Sequence, residues 1–328
     1  MIVVRAPLRI SLGGGGTDLP FYSSKFGGSL VSAAIDKYIY IIVEKRDFYD
    51  DFFIRYSKTE FAKKVDDIEH TRIKAALKYL DINDPLEITS IADVPAGTGL
   101  GSSSTFLVAL LKALHIYKRE DVSAKKLAEE AADIEINVLG EPIGKQDQYL
   151  AAFGDVIHLD IDKKGNVVVS PIDASFSTIE ELETNLLLFS TGIKRETSEV
   201  LTDQKKNVES DSEKMKQMHL IKEIGEEIKK ALENGEAAKV GKWLNVHWEA
   251  KKSFSKKMSS SDIDKAYEIG VQNGALGGKI VGAGGGGFLM FYCDNHKPQL
   301  RNAMAKLNLK EMPFRFDKEG CKVVYHGK

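Results

Sequence analysis

The sequence predicts an α+β fold that is divided into two domains. Its 328 residues are 43% hydrophobic, which is enough for two moderate cores. The first part of the chain mixes strand-like runs of β-branched and aromatic residues with helical patterns, whereas the chain becomes strongly helical from about residue 198. We therefore predict one domain over residues 1–178 and a second domain over residues 179–328.

The first domain opens with a strand that ends in a glycine-rich turn. Residues 2–12 have the sequence IVVRAPLRISL, and GGGGTD follows at 13–18. The end of this strand therefore delivers a carboxylate, that of Asp18, from a glycine turn. The next predicted elements are strands over 29–46 and 52–56, a helix over 73–80 and a strand over 86–94.

A second glycine cluster lies between a strand and a helix. Its sequence is PAGTGLGSSS at 95–104, and apolar residues recur at helical spacing from residue 106 onward. Glycine adopts positive φ easily and lets the backbone curl closely around a ligand. The free N–H groups and the dipole of the first helical turn favour an anion. The pattern therefore predicts a phosphate site, to which the serine hydroxyls can add ligands for phosphate or magnesium.

Two other nucleotide-binding motifs do not fit this chain. A Walker A loop needs a lysine that enters the helix, and none follows Gly101; GEPIGKQ at 140–146 is one residue short and has Gln where Ser or Thr is required. The third glycine cluster, GAGGGG at 282–287, has the spacing of a dinucleotide fingerprint. That fingerprint requires a helix after the glycines, whereas FLMFY at 288–292 predicts a strand. An NAD-binding oxidoreductase is therefore disfavoured.

Two acids flank a glycine-proline turn near the end of the first domain. A helix is predicted from Ser123, its cap, to about Leu139; it carries Glu135, and Asp147 lies beyond the turn.

A hairpin is predicted from strands over 156–160 and 167–169, around Gly165 and Asn166. The second domain begins with LLLF at 186–189, and one long solvated helix is predicted over 204–230.

Composition excludes several function classes. The net charge of −2 gives no bulk attraction to nucleic acid or to a membrane, and the sequence contains neither a long apolar segment nor a signal peptide. Two cysteines, Cys293 and Cys321, are too few for a disulfide framework and suit the cytoplasm. The seven histidines have no metal-ligand spacing, and no Gly-x-Ser-x-Gly sequence indicates a hydrolase.

Taken together, three motifs resemble those of the GHMP kinase superfamily. They are PLR at 7–9 with the turn at 14–18, PAGTGLGSS at 95–103, and KIVGAGGGG at 279–287. The resemblance covers nearly the whole chain. It implies a ribosomal S5 domain 2-like N-terminal domain, a ferredoxin-like C-terminal domain, and a kinase that uses ATP and Mg2+.

The resemblance also implies roles for individual residues. Asp147 matches the aspartate that orients or deprotonates the accepting hydroxyl, and both roles stay open; Arg9 matches the cation near the γ-phosphate. Glu135 and Ser103 match magnesium ligands. The implied ATP-binding residues are Pro95, Gly97, Gly99, Leu100, Gly101, Ser102, Ser103 and Ser104. The implied acceptor-binding residues are Gly15, Gly16, Thr17, Asp18, Gly284 and Gly285, with Lys194, Arg195, Lys251 and Lys252 as candidates for a phosphate on the sugar.

Within the superfamily, RAPLRISLGGGGTD at 5–18 resembles the D-glycero-D-manno-heptose 7-phosphate kinases. Galactokinases have Gly-Glu-His before the Thr-Asp pair, whereas this chain has glycines at 15 and 16. The implied reaction phosphorylates the anomeric hydroxyl of the heptose phosphate. Kinases of another sugar, such as fucose or galactose, or of a mevalonate-type alcohol remain as alternatives, as does a sensor that binds sugar and ATP without turnover. A homodimer is also left open.

Overall fold

The computed structural model describes residues 1–194 and 197–327 and contains two β-sheets with helices packed against them. The predicted α+β class with two domains is confirmed. The strands are β1 Ile2–Gly13, β2 Gly28–Lys45, β3 Phe52–Arg55, β4 Thr59–Ala62, β5 Leu86–Ala92, β6 Val156–Ile161, β7 Val167–Pro171, β8 Leu186–Ser190, β9 Gly277–Ile280, β10 Phe288–Tyr292, β11 Lys310–Glu311 and β12 Lys322–His326. The helices are α1 Pro20–Phe26, α2 Thr71–Tyr79, α3 Ser102–Tyr117, α4 Ala124–Asp133, α5 Gln146–Phe153, α6 Phe176–Asn185, α7 Thr197–Glu209, α8 Ser212–Glu233, α9 Ala238–Lys252, α10 Ser261–Gln272 and α11 Lys297–Lys306.

The first sheet has eight strands, and the long β1–β2 pair is at its centre. The strand order is β12-β1-β2-β5-β3-β4, and β6 pairs with the first part of β2 and with β7. Only β3 and β5 are parallel; the other pairs in this sheet are antiparallel. The predicted hairpin is therefore confirmed as β6 and β7. One face of the sheet packs on α3 and α5, which brings the glycine loop before α3 to the end of β1.

The second sheet is antiparallel, with the strand order β11-β8-β10-β9. Its two inner strands are buried on both faces, and their side chains alternate between two hydrophobic clusters. Leu188 and Met290 point into the large core that also contains the first sheet, whereas Leu187 and Phe291 point into a smaller core with α10 and α11. The continuous apolar sequence of β8 and β10 follows from this two-sided burial.

Two predicted helices differ from the structure. The helix from Ser123 keeps its cap, because the Ser123 hydroxyl accepts from the N–H of Lys126 at 3.2 Å, but α-helical geometry ends at Asp133 and a π-helical turn covers Ile134–Val138. The single long helix over 204–230 is wrong. It is divided between α7 and α8 because Asp211 caps a new helix, with its carboxylate accepting from the N–H of Glu213 at 2.9 Å.

The last strand returns to the first sheet, since β12 pairs with β1. The boundary near residue 178 stays a prediction, and the returning strand means that the second domain is followed by a short segment of the first. Within the described residues, every helix is too short or too polar to cross a bilayer.

Candidate active site

The three glycine clusters meet at one place. The loop before α3 lies along β1, because the N–H of Arg9 donates to the Leu100 carbonyl at 3.1 Å. The same loop touches the third cluster so closely that a Cβ at Gly282 would meet the Gly99 carbonyl oxygen at 2.5 Å. Side chains are excluded at this contact, which explains why glycines occupy both clusters. Residues of all three clusters therefore lie close together, although they are distant in the sequence.

A cavity of about 590 Å³ opens where these clusters meet. Its size fits a small-molecule substrate rather than a polymer. Five parts of the chain line it. They are β1 with the turn at 15–19, Arg72 of α2, the glycine loop over 95–101 (called the phosphate loop for its predicted ligand) with the start of α3, the segment from the π-helical turn to α5, and residues of the second domain in α7, at Lys251 and at 282–283. The cavity therefore lies between the two domains, and the chemistry-bearing side chains of both face one space.

The start of α3 and the glycine loop before it, which the sequence predicts to bind phosphate, form one wall of the cavity. Gly101 adopts φ +80° at the N-cap of α3, and the first residues of this helix line the cavity. The lining residues of this wall are Gly97, Gly99, Gly101, Ser102, Ser103 and Ser104. Two other residues named for ATP lie elsewhere: Leu100 is fully buried in the core, and the Pro95 side chain is exposed. The hydroxyl of Ser102 is buried without a hydrogen-bond partner, so it is available to a ligand.

Arg9 and Asp147 form a bidentate ion pair directly beneath this loop. Nε of Arg9 donates to Oδ1 of Asp147 at 2.7 Å, and Nη2 donates to Oδ2 at 3.0 Å. Nη1 of Arg9 donates to the Gly99 carbonyl at 2.6 Å, which ties the pair to the phosphate loop. Paired hydrogen bonds of this kind fix the plane of a carboxylate. The Asp147 side chain is 27% exposed and lines the cavity, so its carboxylate is both oriented and accessible.

Glu135 is a fully buried carboxylate that reaches the cavity wall from the π-helical turn. Nε of Arg72 donates to its Oε1 at 2.9 Å, and Nε2 of Gln148 donates to its Oε2 at 2.6 Å. Burial raises the pKa of Glu135, while Arg72 and hydrogen bonds from Ser104 and Gln148 act in the opposite direction. π-Helical turns are rare and occur often at functional sites. This one turns a helix-borne acid toward the phosphate loop.

Asp18 also reaches the cavity, at the end of the first glycine turn. Its Oδ2 accepts from the N–H of Gln146 at 3.0 Å, and its Oδ1 accepts from the N–H of Gly16 at 3.2 Å. Burial raises the pKa of Asp18, and these N–H groups oppose that shift. The neighbouring Thr17 serves the turn itself, because its fully buried hydroxyl donates to the Gly14 carbonyl at 2.7 Å.

Other residues proposed for the acceptor are placed in different surroundings. Gly15 and Gly16 line the cavity beside Asp18. Gly284 and Gly285 pack against Met258, and the second domain contributes Gly282 and Ala283 to the cavity wall instead.

The four candidate cations for a sugar phosphate also separate. Lys251 is buried on α9 and lines the cavity, with Nζ donating to the Gly282 carbonyl at 2.5 Å. Lys252 instead pairs with Glu249 at 2.9 Å. Lys194 is exposed, and Arg195 lies outside the described residues.

A buried lysine joins the second sheet to the first behind the cavity. Lys279 of β9 is 1% exposed, and its Nζ donates to the Leu12 carbonyl of β1 at 3.2 Å. Burial, together with the charges of Lys251 and Arg9, holds the pKa of Lys279 well below its usual range. His247 is buried beside Lys279. Burial is the main reason that the pKa of His247 lies well below its ordinary value, and the charges of Lys279 and Lys251 lower this pKa further. His247 is fully buried, and neither of its ring nitrogens has a hydrogen-bond partner within the described part of the chain.

Several residues of the site carry no signal in the sequence. Arg72 lines the cavity but lies just before the helix predicted over 73–80, and Gln148, which donates to Glu135 without lining the cavity, follows the assigned acid Asp147. Ser11, with a buried hydroxyl that has no partner, and Gln204 also line the cavity. Nothing in the spacing of these four residues indicates that they share one site, because they come from distant parts of the chain.

Metal binding is limited by the available ligands. Among the residues that the structure describes, no three histidine, cysteine, aspartate or glutamate side chains form a metal-binding group. The cavity instead offers the Glu135 carboxylate next to serine hydroxyls. Oxygen donors of this kind suit a hard cation that keeps most of its ligands from water and phosphate, such as Mg2+. The residues therefore fit magnesium and do not fit a zinc centre.

Two family models match the chain, one on each side of the cavity. The model for the GHMP kinases N-terminal domain matches residues 70–155, and the model for the GHMP kinases C-terminal domain matches residues 228–309. The D-glycero-alpha-D-manno-heptose 7-phosphate kinase of Campylobacter jejuni is 31% identical over 98% of this chain and 98% of its own length. A galactokinase of Pyrococcus furiosus is 26% identical over 95% of this chain and 96% of its own.

Solved structures give the same relationship. The structure of a D-glycero-D-manno-heptose 1-phosphate kinase from Bacteroides thetaiotaomicron has a TM-score of 0.82 and 27% identity, with 100% of both chains covered. The structure of a sugar kinase assigned in Campylobacter jejuni has a TM-score of 0.77 and 29% identity, with 98% of this chain and 97% of its own covered. The similarity therefore extends over both domains and over the cavity between them.

Proposed function

This chain belongs to the GHMP kinase family, and we propose that it transfers the γ-phosphoryl group of ATP to the anomeric hydroxyl of a heptose 7-phosphate. The observation that carries the proposal is the oriented Asp147 carboxylate, held by Arg9 beneath the phosphate loop. A nucleophile-orienting acid, a fixed cation and a phosphate site thus face one cavity. Full-length similarity to a heptose 7-phosphate kinase supports the choice of acceptor.

The phosphate loop is the proposed nucleotide site. Backbone N–H groups at the start of α3 would hold the phosphates of ATP, with the hydroxyls of Ser102 and Ser103 beside them. Such donors are already oriented before the substrate arrives, so they stabilise the charge that spreads over the transferred group at little reorganisation cost. The phosphoryl group would lie between this loop and the Arg9–Asp147 pair.

Magnesium is the proposed metal, held by Glu135 and Ser103. The fit rests on a buried carboxylate and a serine hydroxyl that share the cavity wall. When bound, Mg2+ neutralises the negative charge of the phosphates during transfer. The chain's own contribution is to hold the Glu135 carboxyl group in a fixed orientation with Arg72 and Gln148.

Asp147 is the proposed catalytic residue of the acceptor side. Its carboxylate accepts a hydrogen bond from the anomeric hydroxyl and points the oxygen lone pair at phosphorus. Arg9 fixes the carboxylate plane and adds positive charge where the transferred oxygens gather. A loose transition state needs little proton removal before bond formation, so orientation supplies most of the effect and the proton moves to Asp147 late.

The sugar is proposed to bind at the other end of the cavity. Asp18, with Gly15 and Gly16, would accept hydrogen bonds from its hydroxyls, and Lys251 would attract its phosphate. Lys194 and Arg195 remain proposed contributors to the phosphate site. The cytoplasm is the proposed location, where ATP is present and the two unlinked cysteines stay reduced. The homodimer stays a prediction.

The test is a kinetic panel with Mg-ATP in which ADP formation is followed. The acceptors are heptose 7-phosphate, mannose 6-phosphate, free mannose, fucose, galactose and mevalonate. We expect the highest kcat/KM with heptose 7-phosphate and loss of this turnover in Asp147→Asn. Faster turnover of another acceptor would remove the heptose assignment and keep the kinase. Sugar and ATP binding without ADP formation from any acceptor would favour the sensor alternative over a catalyst.

A further inference from the structure

We infer that Arg72 is a positioning residue that holds Glu135 in the geometry a metal ion requires. The inference rests on the magnesium site of the proposed function and concerns a side chain to which no sequence motif gives a role. Arg72 lies on the first turn of α2, outside all three glycine motifs. Its guanidinium reaches the cavity wall, where it meets the carboxylates of Glu135 and Glu141.

The two contacts of Arg72 use two different nitrogens of its guanidinium and two different carboxylates. Nε donates to Oε1 of Glu135 at 2.9 Å, whereas Nη2 donates to Oε2 of Glu141 at 2.6 Å. A guanidinium is planar, so the directions of its donors are fixed relative to each other. Anchoring at Glu141 therefore sets the direction from which Arg72 meets Glu135. A lysine could supply charge at this place but could not link both acids with fixed geometry.

Glu135 needs such a support because of where it lies in the chain. It belongs to the π-helical turn, in which the N–H of Leu139 donates to the Ile134 carbonyl at 2.8 Å, five residues back. This turn interrupts the regular α-helix at Glu135, and such turns occur often at functional sites. Arg72 and Gln148 each hold one carboxylate oxygen, and an ionised carboxylate oxygen can still accept a second interaction. The carboxylate is thus fixed but not saturated.

The start of α2, which carries Arg72, is itself held against α3, the helix that follows the phosphate loop. The His70 side chain caps α2, with Nδ1 accepting from the N–H of Ile73 at 3.4 Å. The His70 ring stacks on Phe106 of α3, with ring centroids 4.9 Å apart. A continuous series of contacts therefore runs from the phosphate helix through α2 and Arg72 to Glu135. The metal-binding acid and the phosphate loop keep one relative position through this connection.

The test is equilibrium binding of ADP to the complete protein, measured by calorimetry with Mg2+ and again with EDTA. Arg72→Gln removes both contacts, and Arg72→Lys keeps the charge alone. We expect the Kd of Mg-ADP to rise about 10- to 100-fold in Arg72→Gln, the size typical for loss of a group that supports a metal ligand, and to rise less in Arg72→Lys. In EDTA, we expect the Kd of ADP for Arg72→Gln to stay within about twofold of the Kd for the unaltered protein.

A matched control is Arg46→Gln. Arg46 is similarly buried and has two contacts with one residue, Asp51, but it lies outside the cavity. We expect the metal-dependent affinity to be unchanged in this variant. An equal change of the Kd with and without Mg2+ in Arg72→Gln, or a lower unfolding temperature with no change of either Kd, would overturn the inference and leave only a structural ion pair.

Further variants keep the test independent of folding and of the acceptor. If Arg72→Gln does not fold, Arg72→Lys and Glu141→Gln are compared, and a metal dependence like that of the unaltered protein in both would equally overturn the inference. No acceptor is present in these measurements. Failure of heptose 7-phosphate as a substrate, together with the expected Mg-ADP result, would therefore remove the proposed acceptor and keep the role of Arg72.

Discussion

The contact between Gly144 and Asp18 allows the acceptor site to be perturbed with a single methyl group. A Cβ at Gly144 would overlap the Asp18 carboxylate, although the Gly144 backbone has no positive φ that would exclude alanine by itself. In Gly144→Ala the carboxylate must therefore move by on the order of 1 Å, and it loses good geometry with the N–H groups of Gln146 and Gly16. Weakening these charge-assisted hydrogen bonds costs about 1.5–3 kcal/mol.

A displacement of this size at a substrate-orienting group lowers the rate about 100-fold, which corresponds to about 2.7 kcal/mol. We expect kcat/KM for the sugar phosphate to fall by about that factor while the KM for ATP changes less than about threefold, since the phosphate loop is untouched. The assay is steady-state ADP formation with each substrate varied in turn. Asp18→Ala is the companion variant. Because both changes act through Asp18, kcat/KM of the double variant should be no lower than that of the less active single variant. If Gly144→Ala kept kcat/KM within about threefold of the unaltered protein, Asp18 would not act at the acceptor.

Three further predictions follow from other parts of the structure. Asp147→Asn should lower kcat about 10²- to 10⁴-fold with a small change in unfolding temperature, because its side chain is partly exposed; steady-state kinetics and thermal unfolding check this, and near-normal kcat would refute it. Lys251→Met should weaken binding of heptose 7-phosphate more than binding of the free heptose, whereas Lys252→Met should affect neither; calorimetry with both sugars decides, and equal losses would contradict a phosphate contact. The pH dependence of stability should depend on His115. Burial would lower its pKa, but hydrogen bonds with Glu130 and then Glu120 outweigh burial and raise it above 6.5. This stabilisation is complete below the unfolded value and is lost as pH rises through the folded value, so urea unfolding should show a difference from His115→Gln that shrinks as pH rises; a difference that grows would refute this sign.

The parts of the site that the sequence predicts are those in which backbone chemistry decides. Positive φ and a helix N-terminus require glycine and small polar residues in a recognisable order, so the loop before α3 could be expected before the structure was known, whereas its contact with Gly282 could not. The strand after Gly287 was equally readable, because an unbroken apolar run suits β10, which is buried on both faces.

The remaining parts depend on tertiary contacts that leave no local pattern. The π-helical turn at Glu135 follows a normal amphipathic helix, and nothing in its sequence marks the extra residue. Arg72 is separated from Glu135 by 63 positions, so only the packing of α2 on α3 brings them together. Charge alone also could not distinguish Lys251 from Lys252, since the face of α9 that each residue occupies is set by how this helix packs on the second sheet.

The identity of the product tests the central claim most directly. The protein is incubated with equimolar Mg-ATP and heptose 7-phosphate, and the products are examined by phosphorus NMR. We predict that the γ-phosphate signal of ATP is replaced by a sugar phosphate signal coupled to the anomeric proton, while the original sugar phosphate signal remains. Release of inorganic phosphate alone, or a new phosphate coupled to any other sugar proton, would contradict the proposed reaction.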